Sequence, residues 1–436
     1  MFKFKRFFSL FILVSFLFFL CFTMSGCKEM EGVGKFFSGF YEMLKKMAHA
    51  ISSKLAKDTP TPGDKPAPVD VGNEPADPEI PEKTPKPVKG VPNFITSWGE
   101  RGVKPGQFKT PLGISVDYAG CVYVADTSNC RIQKFTSKGE FLAAFGKRGS
   151  DIGELDQPYG LTITGIGDIY ISDNQNSRIV RIDEKGQFVD AKCNDGDDLG
   201  EVHQPIGLTF DEEGNLFVAD AGNNRVQKLT YKTLEDNIAY SKVGGTGKNM
   251  GPSNLNNPWN NSFPKHNEGP NTGQFSKPWD VLCLPTGEVI VIDTFNHRVQ
   301  KFGTDGSFIT QWGQVGYGND RGKIEFQFPT FATLDQYGFL LVVDTGNHRI
   351  QKFTQDGEFL GTWGGPGYGE GQFSQPHGIA VSPDQGDIFI VDTENNRIQR
   401  YSYSSSWKLW YEDLTKKKKA PVPEGVFTPT PQEVIF

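Results

Sequence analysis

The pattern Asp-x-x-Asn-x-Arg recurs six times along this chain, at Asp126 to Arg131, Asp173 to Arg178, Asp220 to Arg225, Asp293 to Arg298, Asp344 to Arg349 and Asp392 to Arg397. Successive copies are 47, 47, 73, 51 and 48 residues apart. A proline precedes each one, at Pro111, Pro158, Pro205, Pro278, Pro329 and Pro376, 15 residues before the aspartate in five copies and 16 in the last. Two registers that agree six times define a repeated unit, and a unit of this length is one supersecondary motif, not a domain. The 436 residues therefore reduce to one large array with attachments, where length alone suggests about three domains.

Each unit reads as four short strands. In the first copy these are 113–117, 121–125, 131–135 and 141–145, separated by turns such as Asp117-Tyr118-Ala119-Gly120 and Ser137-Lys138-Gly139-Glu140. A four-stranded meander cannot cover both of its faces alone, and packing such sheets around an axis does so. The expected fold is all-β, a six-bladed β-propeller of four-stranded antiparallel blades over 93–405. Gly371-Gln372-Phe373-Ser374-Gln375-Pro376-His377-Gly378-Ile379-Ala380-Val381, followed by Ile388 to Gln399, resembles the NHL repeat. That resemblance covers about 94–403 and implies a six-bladed propeller, a fold that serves binding proteins, scaffolds and enzymes alike. Phe94 to Gly99 resembles the outer strands at 308–313 and 359–364 yet precedes the first unit, so it is expected to complete the last blade and remove an open edge. Ser406 to Tyr411, with Trp407 and Trp410, is the competing closure.

Ahead of the array, Lys3, Lys5 and Arg6 lead into an apolar run from Phe7 to Thr23 that ends in Met24-Ser25-Gly26-Cys27. This has the form of a secretory signal. Its end resembles the lipobox of bacterial lipoproteins, which implies a signal peptide over 1–26 and lipidation at Cys27; an uncleaved anchor or a signal cut elsewhere are the alternatives. Lys28 after that cysteine resembles the outer-membrane sorting signal. Phe37, Phe40, Leu44, Met47, Ile51 and Leu55 fall at helical spacing within 27–57, with Lys45, Lys46, Lys54 and Lys57 between them. The helix so described suits an anionic membrane surface or a packed partner equally. Ten prolines in the 35 residues 58–92 describe an extended stalk. The expected location is extracytoplasmic, in the cell envelope, with the chain held to a membrane through the lipid anchor. Residues 406–436 form a tail that carries Lys416 to Lys419.

Residues present in every copy serve the blade. The pairs Asp126/Arg131, Asp173/Arg178, Asp220/Arg225, Asp293/Arg298, Asp344/Arg349 and Asp392/Arg397 are read as bidentate ion pairs that fix a hairpin, with the Asn between them taking the left-handed turn. Residues that differ between copies are the candidates for function. After the prolines stand Leu112, Tyr159, Ile206, Trp279, Thr330 and His377, followed by Gly in four copies but by Asp280 and Phe331 in the others. These are expected at the mouth of the central channel, as a binding pocket or a packed plug. Within the hexapeptides, Phe295, His297 and His348 make the most unusual local surface. Tyr159, Trp279, Asp280, Phe295, His297, Phe331, His348 and His377 are thus the candidate contacts for a ligand or partner. The longest interval adds residues around 244–273, including Trp259, Phe263 and His266, which would emerge beside Trp279 either as a lid or partner contact or as a merely tolerated insertion.

The chemistry that remains is binding. A net charge of −7 offers no field for a nucleic-acid backbone, so no nucleic-acid partner is expected. Cys121, Cys130, Cys193 and Cys283 form no CxxC pair and are expected as free thiols. His297 and His348 alone are too few ligands for a metal. The amidating lyase that shares this type of propeller holds zinc through Pro-His motifs on several blades. Only Pro376-His377 carries one here, so that reading fails on ligand count. No catalytic residue, metal or cofactor is expected. The favoured role is a tethered binding or scaffold propeller for a protein, peptide or glycan. The alternative is a hydrolase or lyase with a metal or small ligand in the channel.

Overall fold

The computed structural model describes residues 91–229, 269–318 and 323–404. The chain divides into two units, Met1–Glu82 and Lys83–Phe436. The signal, the basic helix, almost all of the Pro-rich stalk, the insertion after the third repeat up to residue 268, and the Lys-rich tail lie outside the described residues.

Six antiparallel sheets stand where the six repeats were read, five with four strands and the third with its first three strands described. In each, the second strand is buried along its whole length: Val122–Asp126, Ile169–Asp173, Leu216–Asp220, Val289–Asp293, Leu340–Asp344 and Ile388–Asp392. Neighbouring blades cover both faces of this strand, which is why its sequences are nearly continuous Val, Ile, Leu and Phe in place of an alternating pattern. The outer strands face solvent on one side, and there alternation appears, as in Phe141–Phe145. In the first copy the third and fourth strands have the bounds read from sequence, whereas the first is Ile114–Val116 and the second is displaced by one residue.

The strand Asn93–Trp98 is the outer strand of the sixth blade, antiparallel to Arg397–Ser402 with Phe94 opposite Tyr401. The expected clasp is therefore present, made from the N-terminal side. Asn93 pairs with Ser402, so the chain enters and leaves the propeller at one end. The turns joining second to third strands, and the loops from each outer strand to the next blade, occupy the opposite end. Ser128 N–H donates to the Lys109 carbonyl at 3.1 Å, and the same bond recurs in the other five copies, tying turn to loop on one rim.

The repeated aspartate anchors that rim. Asp126 is fully buried; its carboxylate accepts from Lys109 N–H (2.7 Å), Asn129 Nδ2 (2.9 Å), Arg131 Nε (2.7 Å) and Gln133 Nε2 (3.0 Å). Arg131 does not grip the carboxylate with two nitrogens: only Nε reaches it, while Nη2 donates to the Lys104 and Gln107 carbonyls, both at 2.9 Å. The expectation of bidentate pairing is corrected on this geometry, because the planar fork divides between the aspartate and the incoming loop. The same division holds at Arg225 and Arg298. Five copies add a glutamine two residues after the arginine, and the second copy has Val180 there. The left-handed residue is also not the repeated Asn, which lies in a single 3₁₀ turn and donates to the aspartate. It is the next one: Cys130, Ser177, Asn224, His297, His348 and Asn396 all have φ between 46° and 55°.

Candidate functional site

Adjoining blades are joined through two positions of the hexapeptide. The second position donates to the proline carbonyl of the next blade: Thr127 to Pro158 (2.7 Å), Asn174 to Pro205 (3.1 Å), Thr345 to Pro376 (2.7 Å) and Thr393 to Pro111 (2.9 Å). The series breaks on either side of the fourth blade. Ala221 has no side-chain donor, and Thr294 bonds back to Ile292 of its own strand at 3.5 Å. The fifth position meets the backbone just before the next proline, where Thr110, Gln157, Gln204, Lys277, Phe328 and Gln375 are also left-handed. Such backbone costs of order 1 kcal/mol per non-glycine residue, and the N–H it presents is captured in most copies by the fifth-position side chain. His297 Nδ1 accepts from Phe328 N–H at 3.1 Å and His348 Nδ1 from Gln375 N–H at 2.9 Å. Each imidazole must be neutral to accept there, and burial holds both below the ordinary histidine range. The two histidines thus sit at different blade junctions, each tied to the backbone. Among the described residues no three His, Cys, Asp or Glu side chains converge as a metal site.

The residues after the prolines begin the inner strands, and three of them meet. Tyr159 and Trp279 stand edge to face with ring centroids 6.2 Å apart, and Trp279 lies against His377 at 5.3 Å with a 33° interplanar angle. They come from the second, fourth and sixth blades, so contact places them on the axis. Leu112, Ile206 and Thr330, from the odd blades, are buried, and Thr330 is engaged with Thr345 Oγ1 at 2.7 Å. Tyr159 and Trp279 remain half-buried. The mouth is thus floored by three rings in contact.

The floor keeps open polar groups. His377 Nδ1 donates to the Gln375 carbonyl at 2.9 Å, which leaves Nε2 as an acceptor. Burial pushes His377 down to about 4, so the ring is neutral. Neither the Tyr159 hydroxyl nor the Trp279 indole N–H has a hydrogen-bond partner among the described residues, and these atoms, like His377 Nε2, are not among the buried polar atoms left unpaired.

Asp280 lies beside this floor. Inner strands approach so closely that a methyl on Gly160 would strike the Ile206 carbonyl, and one on Gly207 would strike both the Trp279 carbonyl and the Asp280 carboxyl. The absence of a side chain at Gly207 gives Asp280 its space. Asp280 Oδ2 accepts from Ala332 N–H at 2.9 Å, and burial pushes its carboxyl up to about 8. Phe331 is buried with Val343 and Ile379 in the apolar cluster against which Tyr159 and Trp279 pack. Phe295 stands apart on the rim, 40% exposed, against Phe328 at 5.5 Å.

The four body cysteines are free, as expected. The inter-blade threonines and the glutamine after each arginine were not singled out from sequence. Arg-x-Gln in five copies was the visible signal for the glutamine; the position that reads Thr, Asn, Ala, Thr, Thr, Thr carried a weaker one.

The NHL repeat family matches residues 108–135, 203–229, 326–353 and 373–401. Mouse NHL repeat-containing protein 3 is 33% identical over 124 residues, covering 28% of this chain and 33% of that protein. Mouse peptidyl-glycine alpha-amidating monooxygenase is 37% identical over 91 residues, which is 20% of this chain and 9% of that protein. The matched segments thus span a third or less of these relatives. A structural genomics protein of unknown function from Bacteroides thetaiotaomicron superposes with a TM-score of 0.51 at 16% identity, covering 72% of this chain and 76% of that one. This likeness concerns the fold alone.

Proposed function

We propose that this chain, whose NHL repeats close a six-bladed β-propeller, is a binding module that takes its ligand at the axial mouth formed by Tyr159, Trp279 and His377. The observation that carries this reading is that three rings from alternate blades converge at one end of the axis while the Tyr159 hydroxyl, the Trp279 indole N–H and His377 Nε2 find no partner among the described residues. Buried polar groups in folded proteins are ordinarily hydrogen-bonded, so these unpaired atoms are available to a ligand. The same rim displays exposed Phe295, Ile152 and Tyr368, which widens the surface available to a partner. It lies at the end opposite the chain's entry and exit. We read 1–26 as a lipoprotein signal, Cys27 as the lipidated residue and 58–92 as a stalk, which makes molecules of the envelope or its surroundings the available ligands. The roles proposed for His297 and His348 are positional, since each spends its Nδ1 on a neighbouring blade.

The test is capture by the full-length protein in detergent from envelope extract. Trp279→Ala lowers recovery of the captured molecule while the thermal unfolding transition persists. Unchanged recovery would show that the mouth is not the site.

A further inference from the structure

We infer that the mouth recognises a neutral sugar ring of a glycan. The inference rests on the binding role proposed above and specifies its ligand.

Its basis is the inventory of groups a ligand must meet. The Trp279 indole offers a donor, the Tyr159 phenol a donor and an acceptor, and His377 Nε2 an acceptor, because Nδ1 is committed to the Gln375 carbonyl. Ring contacts of 6.2 and 5.3 Å set Trp279 directly beside both of the other rings. A ligand that displaces water here has to replace both kinds of hydrogen bond, since buried polar groups left unpaired weaken binding. A hydrocarbon or plain aromatic side chain replaces neither.

Charge narrows the class further. His377 is neutral, and the neighbouring Asp280 carboxyl, buried with Oδ2 on Ala332 N–H, is protonated below about 8. The side chains that form the floor therefore bring no formal charge to meet a phosphate, carboxylate or ammonium, and an ion would lose its hydration without a counter-charge. A pyranose satisfies both conditions. Its hydroxyls donate and accept, and its C–H face lies against an aromatic ring.

The experiment titrates full-length protein in detergent with N,N′-diacetylchitobiose, cellobiose and maltose, read by tryptophan fluorescence and by saturation transfer to the sugar protons. Glucose 6-phosphate, glucuronate and indole are the contrasting probes. At least one neutral disaccharide is expected to bind about tenfold or more tighter than the charged sugars and indole. Trp279→Ala abolishes that binding, and Tyr159→Phe, which removes only the hydroxyl, weakens it severalfold. If none of the three disaccharides binds, or indole or a charged sugar binds tighter, the glycan inference is overturned. The binding role still stands in that case if Trp279→Ala abolishes capture from extract, with a peptide as the captured molecule; it falls if capture is unchanged.

Discussion

The Thr393 hydroxyl donates to the Pro111 carbonyl across 2.9 Å, joining residues 282 positions apart. With Asn396 Oδ1, which accepts from Thr110 N–H at 3.0 Å, it closes the sixth blade onto the first by the same two bonds that join other neighbours. The outer strand Asn93–Trp98 adds a third connection. The ring is thus shut at its rim by repeated chemistry and at its circumference by an exchanged strand.

These inter-blade hydroxyls are expected to differ in weight. Thr127→Val and Thr393→Val each leave a buried proline carbonyl unpaired and should lower stability by about 1 kcal/mol or more. Thr294→Val should cost much less, because its hydroxyl only turns back 3.5 Å to Ile292. Chemical denaturation of the three variants checks this, and equal losses would argue against the series.

The aspartate of each repeat is expected to be far less replaceable than any rim residue. Asp220 is fully buried and Arg225 nearly so. Asp220→Ala strands the arginine, and breaking a buried pair by removing one partner costs about 3–5 kcal/mol. Phe295→Ala, 40% exposed, should change stability little. Unfolding curves of the two variants would invert this order if the repeated pairs were functional and not structural.

Asp280 gives a dependence on pH. Its carboxyl is raised to about 8 in the folded protein but titrates near 4 when unfolded. Between these values the folded state binds the additional proton, so stability falls as pH rises. His377, lowered to about 4, acts in the opposite direction up to about 6.5. The Asp280 contribution therefore stands clear of the histidines between about 6.5 and 8, with a slope of roughly 1 kcal/mol per pH unit. Asp280→Asn removes this contribution, and denaturation at pH 6.5 and 8 in both proteins measures it.

Deleting Asn93–Trp98 should expose the edge of Arg397–Ser402 and uncover Phe389, against which Trp98 packs with ring centroids 6.0 Å apart. Lower unfolding cooperativity and concentration-dependent association are the expected results. A variant that melts as the parent does would show that the clasp is dispensable.

Much of this architecture was legible in the sequence because repetition reports it directly. The Asp/Arg register fixed the number of blades, and the misplaced Phe94-to-Gly99 strand announced the closure. The chemistry inside the repeat was harder to read. Which residue of Asp-x-x-Asn-x-Arg is left-handed depends on how tightly the turn coils, and the 3₁₀ geometry moves that role from Asn129 to Cys130. The arginine looked like a fork for a carboxylate because the loop carbonyls it reaches, 24 and 27 residues upstream, leave no side-chain signature. At the site, variation among the post-proline residues pointed to Tyr159, Trp279 and His377, which the structure brings into contact. It did not foretell that these three would touch one another while Leu112, Ile206 and Thr330 are buried apart from them, because that depends on which three side chains fit together on an axis.

The central claim is that ligand engages the rim carrying the mouth and not the opposite end. A photo-crosslinking amino acid placed at Phe295, on that rim, or at Tyr118, 73% exposed in a turn at the other end, tests it directly during capture from native envelope. The account predicts covalent capture from Phe295 and none from Tyr118. Equal capture at both, or capture from Tyr118 alone, would contradict it.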